Sequence, residues 1–265
     1  MGRAELNENN KHQLNQFKKL SKGLLFKEFV EGPTNKLAFE TCKAIVDQLG
    51  DSKHNPLFLY GGSGLGKTHL IQAVGHAVLH KMPNASVMYL TAAQIVTEFA
   101  NESQPQRVGQ LSQGYRDLDL LLIDDFELLA GKSSHLDDFF NMVNDLLKEF
   151  KQVVIASNLY PKKIDALDAN LLSQLSSALS VEIEPPELEN RVDILLRHSK
   201  QHNYELPNDF ALCIAQHVLG SVRELEDALN QVIAAAKIQG VEISIEIIQE
   251  TLKDQFPLRA KQIRV

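Results

Sequence analysis

Residues 57–80 run LFLYGGSGLGKTHLIQAVGHAVLH. Four apolar residues, Leu57–Tyr60, predict a buried strand, and the apolar positions of HLIQAVGHAVLH predict a helix. Between them Gly61-Gly62-Ser63-Gly64-Leu65-Gly66-Lys67-Thr68 matches G-x-x-x-x-G-K-[ST] in the order strand, loop, helix that a phosphate-binding loop requires. The glycines let the backbone, including the amides of Ser63 and Leu65, wrap a phosphate group, and the helix N-terminus adds partial positive charge on the same side. Lys67 is expected at the β- and γ-phosphates and Thr68 at magnesium, so the implied ligand is ATP or ADP with Mg2+. A glycine-rich turn without function would explain the glycines but not the Lys-Thr pair.

Downstream, the apolar run at 118–123 ends in Asp124-Asp125, where a second strand of such a fold presents carboxylates at the sheet's carboxyl edge. Asp124 is the candidate for the magnesium shell and Asp125 for polarising the attacking water. An acidic turn at a strand end is the plain alternative. Ile155-Ala156-Ser157-Asn158 closes a further strand at 152–156 with an amide that can orient a water. The plain alternative is that asparagine ends strands because it tolerates turns.

Further short apolar runs at 86–90 and 180–183 complete a set of five predicted strands, with helices between them. The clearest helix covers 136–150, where Leu136, Phe139, Phe140, Val143, Leu146, Leu147 and Phe150 recur at three- and four-residue steps. The expected fold class is therefore α/β, a parallel sheet flanked by helices. From Pro185-Pro186 onward every segment has helical spacing, at 187–201, 208–218, 221–238 and 244–254. A small all-helical lid is expected there, with a capping box at Ser221-Val222-Arg223-Glu224. The domain boundaries read as a polar leader at 1–25, the α/β domain at 26–184, the lid at 185–256 and a C-terminal extension at 257–265.

The chain of 265 residues is 44% hydrophobic and 23% charged, which excludes disordered, collagen-like and coiled-coil classes. Its net charge of −7 excludes a protein basic all over, so any nucleic-acid contact must be local. Lys11, Lys18, Lys19, Lys22 and Lys27 outweigh Glu5 and Glu8 near the start, as in a solvated leader or a basic arm. Two distant cysteines, Cys42 and Cys213, rule out a disulfide framework and a cysteine zinc site. No apolar run has the length of a membrane helix and no signal peptide is visible, so a cytoplasmic protein is expected.

The order of phosphate loop, acidic strand, polar strand end and helical lid resembles the AAA+ P-loop NTPases. In detail the chain resembles one family among them, the AAA+ module of the bacterial chromosomal replication initiators called DnaA. FKEFVEGPTN at 26–35, NPLFLYGGSGLGKTHL at 55–70, YRDLDLLLIDD with ELLAGK within 115–132, YPKKI at 160–164, VEIEPPELENRVDIL at 181–195 and SVRELEDALN at 221–230 carry the resemblance. It implies an adenine-side pocket around Val30, Gly32 and Asn35, a sensor at Asn158 where the family usually has aspartate, and a second sensor at Arg223 that would reach the γ-phosphate. A helix-surface pair of Arg223 with Glu226 or Asp227 is the alternative.

Departures from the family pattern shape the functional expectation. The family carries arginines in the helix after YPKKI, including a finger for the neighbouring subunit's ATP. Here Asn170 and Gln174 stand in their place, and no arginine occurs between Arg116 and Arg191. Loss of such a finger lowers turnover by about 10³ or more. The chain stops where the family's duplex-binding domain would follow, so sequence-specific duplex binding is not expected of it. The insertion at 92–116, which in the family lines a single-strand channel, sets Arg107 and Arg116 against Glu98 and Glu102, so a weak single-stranded DNA contact near Arg116 is expected. The resemblance implies an ATP-binding initiation protein with slow hydrolysis that self-associates or docks on an initiator. A non-hydrolysing regulatory adaptor and, less in keeping with the motifs, a helicase loader are the other functions this pattern admits.

Overall fold

A computed structural model describes residues 20–99, 115, 117–131, 136–164, 178–202 and 204–253. The chain divides into two compact units, Met1–Phe29 with Asn35–Gly62 and Gly66–Ile183, and Val30–Thr34 with Ser63–Leu65 and Glu184–Val265.

The first unit is built on a sheet of five parallel strands, β1 (Leu57–Tyr60), β2 (Val87–Thr91), β3 (Leu120–Asp124), β4 (Gln152–Ser157) and β5 (Leu179–Glu182), in the order β2-β3-β4-β1-β5. Helices α1 (Lys36–Asp47), α2 (Lys67–Lys81), α3 (Ala92–Phe99) and α4 (Asp137–Lys148) accompany it. The α/β class expected from the alternating periods is the class observed. Every residue of β3 and β4 is buried, as expected for strands covered on both faces. The buried amide of Gln152 accepts from Gly50 N–H and donates to His54 O, so its burial leaves no polar group unmet.

Two expectations need correcting. The strand at 180–183 forms one residue earlier, and only Val181 of β5 is buried, because an edge strand has a single neighbour to cover it. The helix at 136–150 is shorter: Phe139, Phe140, Val143 and Leu146 turn inward, but Phe150 lies beyond the helix in a left-handed conformation (φ 57°) and is 70% exposed. The carbonyl of Phe150 approaches Gly50 so closely that a Cβ there would lie 2.1 Å from it. Close backbone approach takes Phe150 out of the apolar stripe.

The register brings strand ends level, with Tyr60 opposite Ser157 and Thr91 opposite Asp124. The carboxyl ends of β1, β3 and β4 are thus neighbours along one edge, where open α/β sheets bind ligands.

The second unit is all-helical in its C-terminal part: α5 (Leu188–Gln201), α6 (Asn208–His217), α7 (Val222–Gln239) and α8 (Ile245–Thr251). Leu195, Ile214, Leu225, Leu229, Val232 and Ile248 are among its buried apolar core. The expected capping box is present: Ser221 Oγ accepts from Glu224 N–H at 3.2 Å while Glu224 Oε1 accepts from Ser221 N–H at 3.2 Å. Gly240 ends α7 in the left-handed conformation (φ 69°). No helix among the described residues is long and apolar enough to cross a membrane.

Candidate functional site

The loop after β1 turns into α2 through Gly66, which takes a left-handed φ of 94° and brings no capping side chain to the helix. A Cβ at Gly66 would lie 2.9 Å from the Phe29 ring, so both conformation and space call for glycine. Phe29 itself stacks on Phe39 at 5.7 Å and meets His69 edge-on at 5.4 Å.

Lys67, the first residue of α2, is buried, and its ammonium lies at the centre of the loop. Nζ donates to Gly61 O and Gly62 O at 2.7 Å each and to Asn158 Oδ1 at 2.8 Å. At the next position, Thr68 Oγ1 donates to Asp124 Oδ2 at 2.7 Å. Asp124 is 3% exposed and also accepts from Tyr89 Oη at 2.8 Å and from Asp125 N–H at 3.0 Å. Burial, followed by the charge of Asp124, pushes the Tyr89 hydroxyl well above its ordinary pKa, which keeps it a donor toward that carboxylate.

Asp125 is exposed and adopts a left-handed φ of 55°. The next residue, Phe126, is buried and packs edge-on against Phe58 at 5.9 Å. Burying that ring directly after the strand forces the chain to turn at Asp125, an aspartate being among the few residues that accept the conformation at modest cost.

Asn158 follows β4 and is gripped from one side. Its backbone N–H donates to Glu127 Oε2 at 3.0 Å and its side-chain Nδ2 donates to Glu127 Oε1. The structure therefore brings Lys67, Thr68, Asp124 and Asn158 together from the ends of β1, β3 and β4. Sequence reasoning missed Glu127 and Tyr89. Glu127 stands three residues after the Asp124 carboxylate in a short 3₁₀ turn, Phe126–Leu129, where no periodicity marks it. Tyr89 reads as one more apolar residue of a strand, and only the pairing of β2 beside β3 shows its partner.

The remaining candidates are placed as follows. Asn35 is buried and heads α1 without a side-chain capping bond, its carbonyl accepting from Phe39 N–H at 2.9 Å. Val30 is half-buried in the second unit. Beside it Gly32 lies against the side chain of Asn190, which donates to Glu31 O at 3.0 Å. Gly62 and Ser63 are exposed and Leu65 is buried. Within the second unit Arg223 is exposed, and its backbone N–H lies 3.3 Å from Gly64 O. Among the described residues Arg223 makes no ion pair with Glu226 or Asp227; the carboxylate of Glu226 lies 3.7 Å from His198 Nδ1 instead. Arg107, Arg116, Asn170 and Gln174 lie outside the described residues.

Taken chemically, a buried ammonium and a hydroxyl–carboxylate pair of hard oxygens border a glycine loop at the start of a helix. The sequence pattern of the family described as Bacterial DnaA ATPAse domain matches residues 20–182. The chain is 49% identical over 253 residues to the chromosomal replication initiator protein DnaA of Acinetobacter baylyi, covering 95% of this chain and 54% of that protein. It thus spans about half the length of the curated relatives it matches. Its fold superposes on domain III of the Thermotoga maritima replication initiation protein DnaA with a TM-score of 0.83 at 31% identity, covering 89% of this chain and 98% of that one. A replication initiator DnaA bound to AMPPCP and single-stranded DNA gives a TM-score of 0.71 at 27% identity, covering 89% and 82%. With its phosphate loop, acidic strand end and helical C-terminal part, the chain belongs to the bacterial DnaA ATPase-domain family.

Proposed function

We propose that this chain binds ATP or ADP with Mg2+ at Gly61–Thr68 and acts in bacterial chromosomal replication initiation or its regulation, in the cytoplasm. The observation that carries this reading is the convergence of Lys67, Thr68 and Asp124 on the glycine loop, within hydrogen-bonding distances of 2.7 Å. The similar DnaA structure bound to AMPPCP supports an adenine nucleotide as the ligand.

Residues and nucleotide fit each other in charge. Backbone amides of a glycine-rich loop, here those of Gly62, Ser63, Gly64, Leu65 and Gly66, suit anions, and Lys67 would meet phosphate oxygens as a point charge. Thr68 and Asp124 would hold the metal through one hydroxyl and one carboxylate, the hard oxygen donors that Mg2+ prefers. The metal, when bound, supplies charge neutralisation across the phosphates. Asp125 is the candidate to take a proton from the attacking water, and Asn158 to hold that water by its oxygen. The assignment of Arg223 to the γ-phosphate, and of Val30 and Asn35 to the adenine side, rests on the family resemblance.

Hydrolysis is proposed to be slow. With no arginine between Arg116 and Arg191, the segment that carries the family's finger has no guanidinium to meet charge in a neighbour's site. The same absence favours a second reading, a nucleotide-binding adaptor that docks on an initiator and regulates it. Self-association, a weak single-stranded DNA contact near Arg116, and the division into leader, α/β domain, helical lid and extension at 25, 184 and 256 belong to the proposal.

Calorimetric titration with ATP and ADP tests it. Wild-type protein is expected to bind both, and Lys67→Ala to lose about 10- to 100-fold in affinity, the worth of a charge-assisted hydrogen bond. A wild type that binds neither nucleotide overturns the proposal.

A further inference from the structure

The side chain of Asn158 lies between the carboxylate of Glu127 and the ammonium of Lys67. Glu127 Oε2 accepts the backbone N–H of residue 158 at 3.0 Å, and its Oε1 accepts the side-chain NH2. An ionised carboxylate offers acceptors only, so both of its oxygens must face donors. The other end of the Asn158 amide faces Lys67 Nζ at 2.8 Å, and an ammonium offers donors only. Reversing the amide would set oxygen against oxygen on one side and N–H against N–H on the other. A single orientation satisfies all three groups.

We propose that Glu127 is a positioning residue for the candidate phosphate site: its carboxylate fixes the Asn158 amide so that oxygen, and never NH2, faces Lys67. This rests on the reading of Gly61–Thr68 as a nucleotide site. Asn158 presents an acceptor toward Lys67 without adding a second negative charge beside Glu127. A carboxylate at both positions would bring like charges to hydrogen-bond distance, which costs stability unless one of them takes up a proton.

The pair has a built-in rescue. When Glu127→Gln is combined with Asn158→Asp, the amide and acid change places. The new amide accepts from the backbone N–H of residue 158 and donates to the new carboxylate, and that carboxylate still accepts from Lys67. Four proteins are compared, wild type, E127Q, N158D and E127Q/N158D, by thermal melting without nucleotide and by calorimetric ATP binding with Mg2+. N158D is expected to melt about 4 °C lower and bind ATP at least tenfold more weakly than wild type, and the double variant to recover most of both losses. Rescue by a second substitution is not expected of two residues that serve only as independent packing. N158D indistinguishable from wild type in melting, or a double variant no better than N158D, overturns the proposal. The melting series needs no nucleotide, so a wild type that failed to bind ATP would sink the nucleotide-site reading while the pairing of Glu127 with Asn158 would still be decided by the melting temperatures.

Discussion

Thr68 Oγ1 and Asp124 Oδ2 are 2.7 Å apart, although 56 residues separate them in the chain. The hydroxyl comes from the first turn of α2 and the carboxylate from the last residue of β3, so the two oxygens meet because β1 and β3 end at the same edge of the sheet. If these two oxygens hold Mg2+, Asp124→Asn removes the charged ligand while keeping a group of the same size. ATP affinity measured in EDTA is expected to change little, while the gain in affinity on adding Mg2+ shrinks by about tenfold or more, one charged ligand being lost from the metal shell. An unchanged metal dependence would take Asp124 out of that shell.

Asp125 differs from Asp124 in exposure and in backbone, with φ at 55°. Asparagine tolerates that left-handed conformation, so Asp125→Asn is expected to fold and to bind ATP within about threefold of wild type. Its turnover is expected to fall about 100-fold, the usual worth of a general base. Single-turnover hydrolysis at matched occupancy measures this, and equal rates would remove Asp125 from the chemistry.

Tyr89 supports Asp124 by a hydrogen bond of 2.8 Å from within the sheet. Tyr89→Phe is expected to lower stability by about 1–2 kcal/mol, since Thr68 and the Asp125 amide still serve the carboxylate. The effect carries a pH signature. Burial and Asp124 raise the folded-state pKa of Tyr89 above that of an unfolded tyrosine, about 10, so the folded form keeps its proton longer. Its contribution is complete below a pH of about 10 and is lost as pH rises toward the folded value. Urea melts should therefore show the gap between wild type and Y89F narrowing above a pH of about 10; a gap that widens there would contradict this placement of the hydroxyl.

Placing arginine at both Asn170 and Gln174 tests whether a missing guanidinium limits turnover. The double variant is expected to hydrolyse ATP faster than wild type, by about tenfold or more, with a rate that climbs with protein concentration because the charge is supplied by a neighbour. A wild-type protein whose rate already rises with concentration would point to Lys162, Lys163 or another cation in that role.

Local chemistry made much of this protein legible. The glycine loop needs left-handed backbone at Gly64 and Gly66 (φ 74° and 94°) and a lysine followed by threonine, and those demands leave a signature in consecutive residues. The strands were legible because burial on both faces selects continuous apolar runs, as in LLLID of β3. The capping box of α7 was legible for the same kind of reason: Ser221 and Glu224 serve amides three residues away. Element ends were less so, since Phe150 fits an apolar stripe by spacing and leaves it only where its carbonyl meets Gly50.

What the chain could not display along its length is pairing between distant strand ends. Tyr89 became a partner of Asp124 only when β2 paired with β3, and Glu127 became a partner of Asn158 across 31 residues when the turn after β3 closed beside β4. Sequence alone determined which residue types could hold a phosphate, because that depends on backbone freedom and charge within a few consecutive positions. Tertiary structure decided which way the Asn158 amide faces, because its orientation is set by a carboxylate on one side and an ammonium on the other, brought there by different strands.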